Sequence, residues 1–486
     1  MEGTPTVSEG LRAARSALAG GGAWLVGGAV RDRALGRQAT DFDVVVDGDP
    51  EQAARSVARA AGRAACFELS RDFGAWRVVA RDSSWQLDVE PLRGGDLAAD
   101  LALRDFTVNA IAEPLDGGAP IDPLGGLSDL AAGRLRMVAE GAFASDPLRV
   151  LRLVRTVVEL GLEPDADTLA AAARHARSLG AVSPERVFAE LNRVLASDDA
   201  SGGFELMTRL GAAAAVLPEL EALRGVEQNR FHHRDVHGHT LEVLDRTSDI
   251  TREGGAAGGD GPGGDVASAA LGPNSAHAAA VMREPLADGL TRGQALRWGA
   301  LLHDAAKPLT HEVRSADGRV TFIGHDVAGA QLAREVLGRL RSSERLAAHV
   351  AALVRHHLRL GFLVHEPQPL APRTVYRYLR TCEPVEVDVT VLSVADRLAT
   401  RGDNSERAIA AHLALAAQVL EAALAWHRGP RPAPLVRGDE LADALGIAPG
   451  PQLGTLLESI AEARYAGELA GREDAIEYAR SQIRTS

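Results

Sequence analysis

Between Ala23 and Ala112 short apolar runs alternate with helical patterns: Trp24–Val26, Val44–Val46, Trp76–Ala80 and Gln86–Val89. Runs of this kind, broken by glycine and polar positions, predict the strands of a small mixed α/β unit. From about Leu127 the spacing changes. Apolar residues recur at helical intervals, as at Leu148, Leu151, Val154 and Val158, and helices are expected. Residues 253–287 are rich in Gly, Ala and Pro and read as a disordered insertion or a long loop. Helical spacing returns from Thr291 to about Ala425, and a Pro-rich link, Gly429 to Pro434, leads into a last small unit. No internal repeat is evident.

At 486 residues the chain exceeds what one hydrophobic core supports, so several structural units are expected. Aromatics make up only 4%, and Ala, Leu, Val and Arg carry the patterning, which favours helices. Cys66 and Cys382 can form neither a disulfide framework nor a C-x-x-C metal site, and a reduced cytoplasmic compartment fits them. Met1 to Gly10 lacks the basic and apolar segments of a signal peptide, and no uncharged apolar stretch approaches the ~20 residues of a membrane span. A soluble protein with no membrane partner is expected. The net charge of −13 excludes a uniformly positive surface but not a local one. Arg134, Arg136, Arg149, Arg152, Arg155, Arg174, Arg177, Arg186 and Arg193 make the middle of the chain locally basic, as an RNA partner would require. Arginine-solvated helix faces would give the same pattern.

The first chemical signal is Leu25-Val26-Gly27-Gly28-Ala29-Val30-Arg31-Asp32, followed by Asp41-Phe42-Asp43. A strand runs into two glycines with a helix behind them, which lets backbone N–H groups approach a triphosphate. On a strand Asp41 and Asp43 point to the same face. Two adjacent carboxylates repel, and Mg²⁺ relieves this with hard oxygen ligands. Alone, each feature reads as an ordinary turn or a solvated strand end.

Together the run GGAVRDRALGRQATDFDVVV resembles the signature of the bacterial tRNA nucleotidyltransferase and poly(A) polymerase family, class II branch. Arg104-Asp105-Phe106-Thr107-Val108-Asn109-Ala110, Asp122-Pro123-Leu124-Gly125-Gly126-Leu127-Ser128-Asp129-Leu130, Asp146-Pro147-Leu148-Arg149-Val150-Leu151-Arg152 and the segment from Ser183 to Leu195 follow in the family's order. The resemblance covers roughly residues 20–220. It implies a polymerase-beta-like α/β nucleotidyltransferase head at 1–120, a helical neck at 121–220, a helical HD domain at 221–428 carrying the low-complexity insertion at 253–287, and a small helical tail at 429–486.

The resemblance also implies roles. Asp41 and Asp43 would bind Mg²⁺, with a third carboxylate at Asp88 or its competitor Glu90. Gly27, Gly28 and Arg31 would hold the triphosphate, and Arg104, Asp105 and Asn109 would contact the nucleotide. Asp146 and Arg149, with Arg152 and Arg155 behind them, would select the base. Three residues apart on a helix, Asp146 and Arg149 would share a face. A carboxylate accepting from an amino group and a guanidinium donating to a ring nitrogen would choose C and A over U and G. Asp146 reads equally as a helix N-cap. The expected reaction is template-independent addition of C and/or A from CTP and ATP to an RNA 3′ end, that of tRNA above all.

The chain departs from the family at Ser145, where Glu is frequent, and between Arg93 and Arg104. Family members often carry a longer flexible segment there, associated with the switch from C to A addition. Here it is only Gly94 to Leu103, which sets a partial CC-adding or A-adding enzyme beside a complete CCA-adding one as a reading.

A second set of ligands, His239, His303-Asp304 and Asp396, falls in the order of the HD superfamily signature. His325, His356 and His357 supply the extra histidines of dinuclear members. Imidazole and carboxylate suit a divalent transition metal. The rival readings are a poly(A) polymerase acting on general RNA, an HD-type metal phosphohydrolase, and a non-catalytic RNA-binding protein.

Overall fold

The computed structural model of the chain describes residues 9–20, 22–71, 74–228, 233–252, 269–316, 318–401, 405–431 and 433–485. It divides into two compact units, Met1–Val182 with Arg209–Ala215, and Ser183–Thr208 with Val216–Ser486. The expected neck is therefore split: its first part clusters with the head, and Ser183–Thr208 clusters with the helical remainder. Long-range packing decides this, and helical spacing along the chain carries no trace of it.

The first unit is built on β1 (Ala23–Val26), β2 (Asp41–Val46), β3 (Ala65–Ser70), β4 (Ala75–Val79), β5 (Gln86–Pro91) and β6 (Ala112–Pro114), in the order β3-β4-β5-β2-β1-β6. Only β2 and β5 run parallel; the other neighbours are antiparallel. Four strands arise where apolar runs predict them, while β3 and β6 do not stand out in the pattern. The helices of this unit are α1 (Glu9–Ala17), α2 (Gly28–Ala34), α3 (Pro50–Ala60), α4 (Leu97–Ala102), α5 (Gly126–Ala131), α6 (Ala142–Ser145), α7 (Arg149–Leu160) and α8 (Ala166–His175).

The two faces of the sheet differ. Leu25, Val44, Val46, Val78, Leu87 and Val89 belong to the main core with Leu11 and Ala14 of α1 and Ala54 and Val57 of α3. Residues of the other parity, Val26 and Val45, pack in a smaller cluster with Leu101 of α4, Ala110 and Ala112. Because side chains alternate along a strand, Asp41 and Asp43 share the side of Val45, and Asp88, Glu90 and Arg77 share it too. The charged positions of three neighbouring strands thus fall on the thinly covered face.

The second unit is helical. Val236–Thr251, Arg292–Leu302, Glu344–His356 and Glu386–Ala399 contribute its core, with Val243, Leu244, Leu296, Trp298, Val350 and Leu392 fully buried. Residues 253–268 lie outside the described residues. The rest of the stretch expected as a loop is ordered: Ser275–Met282 is a helix, and Pro285–Ala287 pairs with Leu290–Thr291. Alanine-rich sequence looks featureless but has high helix propensity, and here it buries Ala278 and Val281. Helix Ser405–Arg428 contains a segment, Glu406–Arg428, long and apolar enough to cross a membrane by length and composition. Its Leu415, Val419, Leu420 and Leu424 are buried within this unit, where it packs on Glu386–Ala399. Gly438–Leu445, Pro451–Tyr465 and Arg472–Thr485 enclose a separate apolar cluster of Val436, Leu441, Leu453, Ile460 and Ala475.

Candidate active site

Strand β1 ends at Val26 and passes into Gly27, whose φ of 73° is a glycine conformation, and α2 begins at Gly28. A Cβ on Gly27 would lie 3.1 Å from Arg104 Nη1 and 3.2 Å from Asp43 Oδ2. The turn, the arginine and the carboxylate are therefore in one place, although the sequence separates them widely. Gly28 has ordinary space around it.

The parallel register of β2 and β5 sets Asp41 opposite Gln86, Asp43 opposite Asp88 and Val45 opposite Glu90. Asp43 is reached by solvent yet closely surrounded by protein. Burial is the main influence on its carboxyl, opposed by Arg104 and reinforced by Glu90 and Asp88, and the result is a rise to about 6. Crowded carboxylate oxygens with too little compensating charge are a donor set that a hard divalent cation fits. Asp88 already has a partner: Arg77, opposite it on β4, donates from Nε to Oδ1 and from Nη2 to Oδ2, both at 2.7 Å. Glu90 lies 3.8 Å from Arg93 Nη2.

A buried polar chain extends from the turn. Arg31 donates from Nη1 to Asn109 Oδ1 at 2.5 Å and from Nε and Nη2 to Asp32. Asn109 Nδ2 donates to Asp105 Oδ1 at 3.0 Å, and Arg152 Nη1 lies 3.5 Å from Asp105 Oδ2. Burial pushes the Asp105 carboxyl up, but Arg152 together with the Asn109 and Phe106 N–H groups outweighs it and holds the carboxyl below its usual range. Arg155, one turn beyond Arg152, pairs with Glu159 at 3.7 Å.

The selecting pair departs from expectation. Asp146 is not helical: it is extended, φ −147°, and accepts from the Leu148 N–H at 3.2 Å, while α7 starts at Arg149. Pro147 disfavours the helical conformation at the residue before it. Asp146 does behave as an N-cap: it is extended, its carboxylate accepts from the Leu148 N–H and its carbonyl from the Arg149 N–H, just ahead of the regular helix. Arg149 is held by three carbonyls: Nη1 donates to Arg104 O at 3.0 Å and to Ala142 O at 3.1 Å, and Nη2 to Leu103 O at 2.6 Å. Its Nε is buried without a hydrogen-bond partner, so a fixed donor remains.

Two features were not legible as functional. Asp122 caps α5 by accepting from the Gly126 and Leu127 N–H groups, and a Cβ on Gly126 would stand 2.0 Å from Thr107 O. Thr107 in turn donates to Asp129, which also receives Arg134 and Arg136. This segment thus buttresses Arg104–Asn109, and two of the arginines counted as basic surface are paired with its Asp129. The other feature is Asp100, fully buried between Arg93 and Arg104. Its position four residues before Arg104 was the available signal.

In the second unit two ligand groups share Asp304: His239, His303 and Asp304, and Asp304, His325 and His357, all buried. Asp396 Oδ1 lies 3.0 Å from His239 Nε2. Nδ1 of His303, His325 and His357 each meets a backbone carbonyl, of Ala300, Phe322 and Val354, at 2.6–2.8 Å. A carbonyl only accepts, so Nδ1 carries a proton, and in the neutral ring the Nε2 lone pair faces the cluster, as in metal-bound histidines. Nε2 of His325 and His357 are 3.2 Å apart. His356 is not among the converging ligands; burial first, then Arg359 and Arg355, lower its ring to about 4. Lys307 Nζ lies 2.7 Å from Asp304 Oδ2 as an ion pair and donates to Gln228 Oε1 at 2.6 Å.

Three family models of known proteins match the chain. The poly A polymerase head domain matches residues 23–136, a domain described as probable RNA and SrmB- binding site of polymerase A matches 161–223, and the HD domain matches 236–401. The chain is 36% identical to the A-adding tRNA nucleotidyltransferase of Deinococcus radiodurans, over 93% of this chain and 94% of that one. It is 33% identical to the CC-adding tRNA nucleotidyltransferase of Thermus thermophilus, over 93% and 92%. Its fold is similar to that of the Thermotoga maritima CCA-adding enzyme solved with tRNA, at a TM-score of 0.59 and 18% identity, over 95% of this chain and 91% of that one.

Proposed function

The chain belongs to the bacterial tRNA nucleotidyltransferase family, and on that premise we propose that it makes one part of the CCA end, CC or the final A, with a nucleotide choice that does not switch. The reaction is template-independent transfer of C and/or A from CTP or ATP to the tRNA 3′ end. The observation that supports a partial product is the segment Gly94–Leu103. It is a turn and a short helix, α4, anchored by Asp100 to Arg93 and Arg104 and by its end carbonyl at Leu103 to Arg149. A segment so short and so tied has little length with which to change the base-selecting residues between two nucleotides.

The Gly27 turn, with Arg31 and Arg104 beside it, receives the triphosphate; Asp41 and Asp43 hold Mg²⁺, with Asp88 and Glu90 on the same face. Bound there, Mg²⁺ supplies charge stabilisation at the attacking and departing oxygens. The chain's own contribution is to place the RNA 3′-hydroxyl in line with the α-phosphate and to hold cationic groups where pyrophosphate departs. Arg149 Nε and the Asp146 carboxylate read the base edge. In the second unit His239, His303, Asp304 and Asp396 hold a divalent transition metal, with His325 and His357 available for a second. The protein works in the cytoplasm, where its bacterial relatives meet tRNA.

The test is extension of tRNA transcripts ending at the discriminator base, at C or at CC, each with CTP, ATP or both. Growth that stops after CC, or A added only to CC ends, supports the proposal. Growth by a full CCA overturns the fixed choice, and long A tails on unrelated RNA would make the chain a poly(A) polymerase.

A further inference from the structure

Asp100 is a buried charge that packing does not explain. It is 0% exposed, beside Leu101, which fills the adjacent site with an apolar side chain. Burying a carboxylate is costly unless its oxygens are compensated. Here Oδ1 accepts from the Arg93 N–H at 3.2 Å and Nε at 3.3 Å, and Oδ2 accepts from Arg104 Nη2 at 3.3 Å. Arg93 is 40% exposed and water can serve it; Arg104, at 13%, depends far more on this carboxylate. The other nitrogen of the same guanidinium, Nη1, is the atom that stands against the Gly27 turn.

We propose that Asp100 is a positioning residue for the nucleoside triphosphate: it holds one end of Arg104 so that the other end faces the phosphate-binding turn. The same anchor reaches the base. The carbonyls of Leu103 and Arg104, which directly follow α4, orient the Arg149 guanidinium. Asp100, Arg104 and Arg149 therefore form one connected piece, and the grip on the phosphates and the donor to the base are set together. This inference rests on the reading of Arg104 as a triphosphate ligand.

Steady-state kinetics on the full chain, with tRNA and the triphosphate it uses, test it through Asp100→Asn, Arg104→Ala, their double variant and Arg104→Lys. In Asp100→Asn the KM for the triphosphate rises about tenfold while kcat stays within about threefold, because the arginine remains but is no longer held. The change adds nothing in the Arg104→Ala background. Arg104→Lys moves KM the same way, since one ammonium cannot reach both ends. A folded Asp100→Asn enzyme with unchanged KM, where Arg104→Ala raises it, overturns the proposal and leaves the reading of Arg104 standing. An unchanged KM in Arg104→Ala overturns both. Should Asp100→Asn fail to fold, Arg104→Lys decides: a raised KM supports the proposal, and an unchanged one overturns it.

Discussion

Arg77 and Asp88 stand opposite each other on antiparallel strands and are joined by two hydrogen bonds of 2.7 Å. Asp88 is in turn the register partner of Asp43. The acidic face thus contains its own cation, and the charge on Asp88 is balanced before any metal arrives. Arg77→Met leaves a half-buried carboxylate unpaired beside Asp43. Thermal melting without divalent ions should show a loss of about 1–3 kcal/mol, and added Mn²⁺ should recover part of it. A variant that melts like the parent would show that the pair contributes nothing.

Asp43 presents the opposite case. It crowds against Asp88 and Glu90, so removing its charge relieves repulsion while removing a ligand. Asp43→Asn should melt no lower than the parent without divalent ions, while kcat for nucleotide addition falls by about a hundredfold or more. Retained activity would exclude Asp43 from the chemistry.

The two glycines of the turn should separate. Gly27→Ala places a Cβ at positive φ and within 3.2 Å of both Arg104 and Asp43. Roughly 1–2 kcal/mol of strain and a clear loss of activity are expected. Gly28→Ala meets only ordinary contacts and should be nearly neutral in melting. Equal effects would mean that the turn is not built around Gly27.

Asp129 links stability to pH. Burial pushes its carboxyl up, but hydrogen bonds from Thr107, Arg134 and Arg136 outweigh this and hold it below the usual carboxylate range. A depressed folded value means that the contribution is fully present above the unfolded value of about 3.9 and fades as pH falls through the folded one. The stability gap between the parent and Asp129→Asn should therefore be constant from neutral pH down to about 5 and narrow below about 4. A gap that widens on acidification would reverse the assignment.

The cluster on Asp304 should hold metal independently of nucleotide addition. Elemental analysis of the purified protein should find a transition metal, and Asp304→Asn or His303→Ala should lose it while extension of tRNA persists. His356→Ala should keep it. Metal content unchanged in Asp304→Asn would move the binding elsewhere.

Much was legible because it was local. Gly27-Gly28, Asp41-x-Asp43, Arg104–Asn109 and the ordered histidines each carry their chemistry within a few residues, and strand parity alone put both aspartates on one face. The helical character beyond Leu127 followed from spacing. Residues 269–287 were misjudged because alanine-rich helix and low-complexity loop have the same composition. Asp146 lies ahead of the helix rather than on its face because the proline after it outweighs helical spacing, and its alternative reading as an N-cap fits.

By itself the sequence determined the family, the strand-turn-helix at Gly27, the pairing of carboxylates with arginines as a chemistry, and the residue types of the second cluster. These depend on residue type and short-range geometry. Only the tertiary structure decided that Arg77 takes Asp88, that Asp100 holds Arg104 against Gly27, that Arg149 is oriented by the carbonyls of Leu103 and Arg104, and that His357 rather than His356 joins Asp304. Each of those is a contact between elements, and which partner a charged side chain finds is settled by strand register and helix packing, which no local pattern encodes.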